Sequence, residues 1–152
     1  FVDNEEKTSI SLTSIEQTLF AAQIEQAAGR DRAAIQMTQR VRNAIDTSEL
    51  GAYLKLHAMR ADLIEGNSTL HAGNPAAALP LLQRALATRR ALLATSSPEI
   101  ADAQVALADC YLALGQRAAA QGLANEALAI HAAHAQLGEQ YRGPLRDLQR
   151  RL

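Results

Sequence analysis

The stretch Ala76–Ala87 reads AAALPLLQRALA, and Ala118–Ala129 reads AAAQGLANEALA. A shift of 42 residues lays the first on the second with the same residue at 7 of 12 positions. Outward from these segments the shift holds: Gly73 falls on Gly115, Ala61 on Ala103, Leu63 on Val105 and Leu70 on Leu112. Agreement on both sides of a glycine marks a structural unit rather than a coincidence of alanine-rich text. A period of this length belongs to stacked supersecondary units, each too small to bury its own apolar face.

Each unit reads as two helices. The spacing predicts a helix from Pro98 to Leu114, with Ser97 as N-cap and Pro98 at the first helical position, where its missing N–H costs nothing. Gly115 supplies the left-handed stop. A second helix is expected from Arg117 to Ala135, stopped at Gly138. In the preceding unit Gly73 ends one helix, Asn74 caps the next and Pro75 begins it. Pro80 falls in the early turns, where a modest bend is expected. Ala78, Ala85 and Leu86 correspond to Ala120, Ala127 and Leu128. All six are expected in the core, the alanines where helices cross closely.

Composition agrees. Apolar residues make up 48% of the 152, yet aromatics only 3%, so the core is built from Ala and Leu, good helix formers. The 15 basic and 16 acidic residues nearly cancel, and Arg89–Arg90 and Arg150–Arg151 are too isolated to form a basic face, which argues against nucleic acid. Cys110, the single cysteine, excludes an internal disulfide and reads as a buried small residue. No apolar run nears the roughly 20 residues of a membrane span, and no signal peptide opens the chain. The first residue is Phe1, so the chain is expected to be a piece of a longer protein, and a cytoplasmic setting is the expectation.

Gly66, Gly73, Ala78, Leu82, Ala85 and Leu86, then Leu107, Ala108, Tyr111, Gly115, Ala120, Ala127 and Leu128, resemble the tetratricopeptide-repeat signature. The 42-residue period exceeds the usual 34 and is similar to the longer variety of kinesin light chains and many bacterial proteins. ALPLLQRALATRRALL and SPEIADAQVALADCYLALG are typical of it, and that variety often has proline where Pro80 stands. HAQLGEQYRGPLRDL resembles the C-terminal ends of repeat regions in bacterial serine/threonine kinases. The resemblance implies an all-α, right-handed superhelical stack of antiparallel hairpins. Its departures are Asp62 and Gln104 where the motif has a large residue, and Glu65 in place of Leu; these predict solvent-exposed or atypical first helices.

The organisation expected is a polar leader (1–13), a degenerate first repeat (14–46), a second (48–97), a third (98–138) and a capping helix (139–152). The first repeat rests on Leu19, Ala22, Gly29 and Ala34, with Gly29 lying 44 residues before Gly73. PLRDLQRRL, from Pro144 to Leu152, is amphipathic and suited to closing an array.

Catalytic chemistry is not expected. His131 and His134 lie three apart on a predicted helix without a third metal ligand, and read as two solvated helix-face histidines. Asp102 and Asp109 share a face, but nothing in the sequence desolvates either for acid–base work. Phosphate-loop, dinucleotide, zinc-protease and nucleophile-elbow motifs are absent. No cofactor or metal is expected. The resemblance implies instead a protein-interaction scaffold whose groove is built by the first helix of each unit. By the family's pattern its groove positions are Glu16, Leu19, Gln23, Arg60, Leu63, Asn67, His71, Asp102, Val105, Asp109 and Leu112. Asn67 matches the place where an asparagine often holds a ligand backbone. The Lys–Asn–Arg set that clasps C-terminal carboxylates is incomplete, and Asp102 and Asp109 would repel an acidic tail. The partner expected is a protein or peptide, within a larger bacterial protein. Self-association, or a regulatory region attached to a signalling enzyme such as a serine/threonine kinase, is the alternative.

Overall fold

The computed structural model describes residues 11–48 and 53–152. Among these there are seven helices and no strand: α1 (Leu12–Ala27), α2 (Asp31–Asp46), α3 (Lys55–His71), α4 (Pro75–Leu92), α5 (Pro98–Ala113), α6 (Arg117–Ala132) and α7 (Glu139–Arg151). α1 pairs with α2, α3 with α4 and α5 with α6; α2 then packs on α3, and α4 on α5. The first helices also touch in a row, α1 to α3 to α5 to α7. Residues 1–10 of the polar leader fall outside the described residues; Leu12 and Thr13 are already helical, because the Ser11 hydroxyl caps α1 by accepting from the Ser14 amide at 3.2 Å.

The punctuation follows the chain chemistry. Gly29, Gly73 and Gly115 have φ of 72°, 87° and 75°, the left-handed region that glycine adopts without steric cost. Asn74 Oδ1 accepts from the Ala77 amide at 3.3 Å, and Pro75 opens α4. The helix runs on through Pro80, whose ring and the carbonyl it leaves unpaired at Ala76 both sit on the exposed side.

Two expectations at the end of the third unit need correction. α6 stops at Ala132, and Gly138 has extended backbone and caps α7 instead of ending α6. No left-handed glycine ends α6: the Ala133 amide donates to the Ala129 and Ile130 carbonyls and the His134 amide to that of His131, while the Arg142 guanidinium holds the turn beyond through the carbonyls of Leu137 at 2.8 Å and of His134 and Ala135 at 3.0 Å. Ser97 does stand at the N-cap of α5, but its hydroxyl donates to the Glu99 carboxylate and makes no capping bond.

The apolar residues fall into two clusters. One joins α1, α2 and α3 around Ile15, Leu19, Val41 and Ile64; the larger joins α4 to α7 around Leu82, Ile100, Leu107 and Leu145. Ala78, Ala85, Ala120 and Ala127 are completely buried, and so is Cys110, whose thiol donates to the Pro75 carbonyl at 3.2 Å. Leu86 is 3% exposed beneath α5, but its counterpart Leu128 is 46% exposed. The expectation of six core residues fails there: Leu128 lies outside the core that Leu145 and Leu148 of α7 close.

Asp62, Glu65 and Gln104 are not solvent-exposed. All three are buried, and all three have polar partners. Arg42 from α2 lies 2.7 Å from Asp62 and 2.8 Å from Glu65, and Arg84 from α4 grips Asp62 through Nε at 2.6 Å and Nη2 at 2.7 Å. Gln104 donates to Glu126 at 2.8 Å, which Arg90 also holds. Buried carboxylates are tolerated where cations and hydrogen bonds replace water, and here the partners come from neighbouring helices.

Candidate protein-binding groove

The row of first helices carries a cavity of about 570 Å³ between α1, α3, the end of α4 and the start of α5. Four of the expected groove residues meet there: Glu16 and Gln23 from α1, Arg60 and Leu63 from α3. Helical spacing explains the grouping, since 16 and 23, and 60 and 63, lie on one face of their helices. Leu56, Met59, Leu63, Ile64 and Leu93 supply an apolar lining, while Arg60, Arg89, His57, Glu16 and Glu99 ring it with charge and hydrogen-bonding capacity. Arg60 Nη2 donates to Gln23 Oε1 at 3.3 Å, tying α3 to α1 across the floor.

Arg89 was not among the residues expected here. It is buried, donates to the Met59 sulfur at 3.1 Å and to the Glu99 carbonyl, and lines the cavity. Burial pulls it below the ordinary arginine value, against the attraction of Asp102 and Glu99, and Arg60 adds repulsion. The 42-residue shift lays Arg89 on His131 and the structure buries both, but the sequence does not announce that burial. His131 and His134 therefore do not form a solvated pair. His131 sits in the core, where burial lowers its pKa. His134 lies in the turn beyond α6 with Nε2 2.6 Å from the Ser96 carbonyl. Among the described residues no three His, Cys, Asp or Glu side chains converge as a metal site would require.

The remaining groove positions divide. Leu19 and Val105 are buried in the two cores and are closed to a ligand, because each packs toward its partner helix instead of the open face. Asn67 and Leu112 are half-buried. His71 is exposed and turned toward Asp31 at the start of α2, 3.8 Å away. Asp102 is half-buried, and burial pushes its carboxyl up to about 6, against Arg89. Burial likewise raises Asp109, but Arg151 of α7 pairs with it and pulls the other way. The third unit's groove positions are thus partly closed by α7, while those of α1 and α3 stay open around the cavity.

A model of the tetratricopeptide-repeat family matches residues 59–133. Residues 59–133 are tetratricopeptide repeats. Such repeats are generally protein–protein interaction modules. None of the curated proteins matches the chain. Crystal structures of the nearly identical TPR-like repeats assigned to a kinesin light chain of Podosopora anserina, one of them a single-substitution variant, align with TM-scores of 0.62 and 0.60 at 23% identity. The alignments cover 86% and 85% of this chain and 62% and 60% of those, so this chain spans about three fifths of their length. At that identity the likeness is one of fold, and it extends the repeat architecture beyond residues 59–133 to α1 and α2. No helix among the described residues is long and apolar enough to cross a membrane.

Proposed function

We propose that this repeat domain is a non-catalytic scaffold that takes a peptide or partner domain on its concave face, as one part of a larger bacterial protein. One observation carries the reading: the cavity on the row of first helices joins an apolar lining to the guanidinium groups of Arg60 and Arg89. Mixed apolar and polar concavities are where ligands bury surface and gain orientation at once. Groove residues Arg60, Leu63 and Asn67 make the first contacts; Asp102, Asp109, His71 and Leu112 extend the surface along the row. The fold is one typically used as a non-catalytic scaffold.

The test compares two variants in pull-downs from the source organism, each with its melting curve matched to wild type. Arg60→Glu with Asn67→Ala changes the concave face; Arg117→Glu with Leu128→Lys changes exposed positions on α6. Loss of a partner in the first variant alone supports the reading. Loss in the α6 variant alone, with the groove variant binding as wild type, overturns it. Arg84 is unsuitable as an outer-face control, because it holds the buried Asp62.

A further inference from the structure

Elsewhere in the molecule guanidinium groups at the helix joints meet carboxylates: Arg42 and Arg84 close on Asp62, and Arg90 on Glu126. The two guanidinium groups on the concave cavity do not. Arg60 donates to the amide oxygen of Gln23, and Arg89 to the Met59 sulfur and the Glu99 carbonyl. Neither has an ion pair among the described residues, and Nη2 of Arg89 has no hydrogen-bond partner there. Arg89 is also 8% exposed, so little water reaches its charge. The carboxylates of Glu99 and Asp102 attract it from α5 without pairing with it, and that of Glu99 accepts from the Ser97 hydroxyl instead. Arg60 repels it. Two like charges thus face one cavity, and an anion entering it would be attracted by both and would relieve their repulsion. Beside them Leu56 is 47% exposed, and Leu63 and Leu93 are half-buried.

We infer that the partner segment enters this cavity with an internal Asp or Glu side chain on Arg60 and Arg89, and an apolar neighbour on Leu56, Leu63 and Leu93. The inference rests on the concave-face reading and names the chemistry of its partner. A carboxylate offers two acceptor oxygens to the planar fork of a guanidinium, a match that no hydroxyl or amide makes. One negative charge suits the site better than the two of a phosphate, because Glu16, Glu99 and Asp102 stand around it. Farther along the row Asp109 would repel the same segment, but Arg151 pairs with it. The apolar neighbour fixes the direction of the segment, since the leucines line the cavity beside the charges.

Selection from a random peptide library displayed on phage tests this, with the 152-residue chain as bait. Each peptide is fused through its C-terminus, so every carboxylate it offers is a side chain. Binders to wild type should be enriched in Asp or Glu beside an aliphatic or aromatic residue. In the tightest binder, synthesised with blocked termini, replacing that acid by its amide should weaken binding about tenfold. The same replacement should cost less than about twofold against Arg60→Gln or Arg89→Met, because the charge it removes has already lost a partner. Arg60 is half-buried on the cavity, so Arg60→Gln keeps the test decisive if Arg89→Met does not fold. Binders that lose affinity with Leu56→Lys yet show no acidic enrichment overturn the carboxylate and leave the concave-face reading standing. So do binders whose acid-to-amide change costs the same in all three chains. A library that yields no binder sensitive to Leu56→Lys or Arg60→Glu overturns the concave-face reading, and this inference with it.

Discussion

The joint between α3 and α4 and the joint between α5 and α6 occupy the same slots of the repeat and are filled with different chemistry. Asp62 and Arg84 in the first become Gln104 and Glu126 in the second; Arg89 becomes His131; Gly66 and Leu82 become Ala108 and Ala124. A Cβ on Gly66 would stand 2.6 Å from the Leu82 side chain, so the large residue on α4 requires the missing one on α3. The second joint fills the slot with two alanines, two side-chain carbons fewer but shared evenly between the helices. Charge is exchanged in a similar way, an ion pair in one joint for a hydrogen bond in the other. The repeat thus sets where side chains meet and leaves each joint its own solution, provided volume and polarity balance within the slot.

If that is right, substitutions should follow slots and not residue types. Leu82→Ala should cost about 3 kcal/mol in urea unfolding, as a fully buried leucine does. Adding Gly66→Ala converts the slot to the alanine pair of the other joint, so the double variant should recover about 1 kcal/mol relative to the sum of the single changes. Strict additivity would mean that the two slots do not share their volume.

The polar slots should differ almost as much. Asp62→Ala leaves Arg84 without its carboxylate and Arg42 with Glu65 alone, and should destabilise by about 3 kcal/mol. Gln104→Ala, at the equivalent position, should cost about 1 kcal/mol, the value of an ordinary hydrogen bond. Equal losses would erase the distinction between a joint held by a buried ion pair and one held by an amide–carboxylate hydrogen bond. Ala127→Leu probes crossing rather than charge. With Ala127 fully buried, overpacking should lower stability by about 2 kcal/mol, and an unchanged melting temperature would place the helices further apart than described.

The smallest effect depends on pH. Burial raises the Asp102 carboxyl from an ordinary value of 3.8 to about 6, so the folded chain keeps a proton there that the unfolded chain has released. Its contribution to stability is full below about pH 4 and is lost as pH rises through 6, because the native state binds more protons in that window. Asp102→Asn should therefore be about 1–2 kcal/mol more stable than wild type at pH 7, with the difference vanishing near pH 4. A pH-independent difference would assign the effect to something other than this titration.

Much of the fold was legible from the shift of 42, because glycines that require a positive φ and alanines that permit close crossing are set by the backbone alone. What stayed hidden depended on partners distant in sequence. Asp62 and Glu65 looked exposed because no local pattern announces Arg42, twenty residues upstream on another helix. The end of α6 was placed late because no glycine marks it: the backbone amides of Ala133 and His134 satisfy its last carbonyls, in a turn that Arg142 of α7 holds from outside. Leu128 looked like Leu86 because periodicity carries no information about where the neighbouring helix stops. The family's pattern placed Arg60, Leu63, Leu19 and Val105 alike in the groove; the first two line the cavity, whereas Leu19 and Val105 are buried, because only packing defines the edge of that face. Arg89 was missed because its burial, like that of His131 one repeat on, is set by packing and not by local pattern.

The most direct test of the concave-face account is photo-cross-linking from single sites. A benzoyl-phenylalanine at Leu63, on the cavity, and another at Leu128, exposed on α6, would be irradiated with extract from the source organism. The account predicts that the Leu63 site captures one discrete partner, that Arg60→Glu in the same chain removes the adduct, and that the Leu128 site captures none. Capture of that partner from Leu128, with nothing at Leu63, would contradict it.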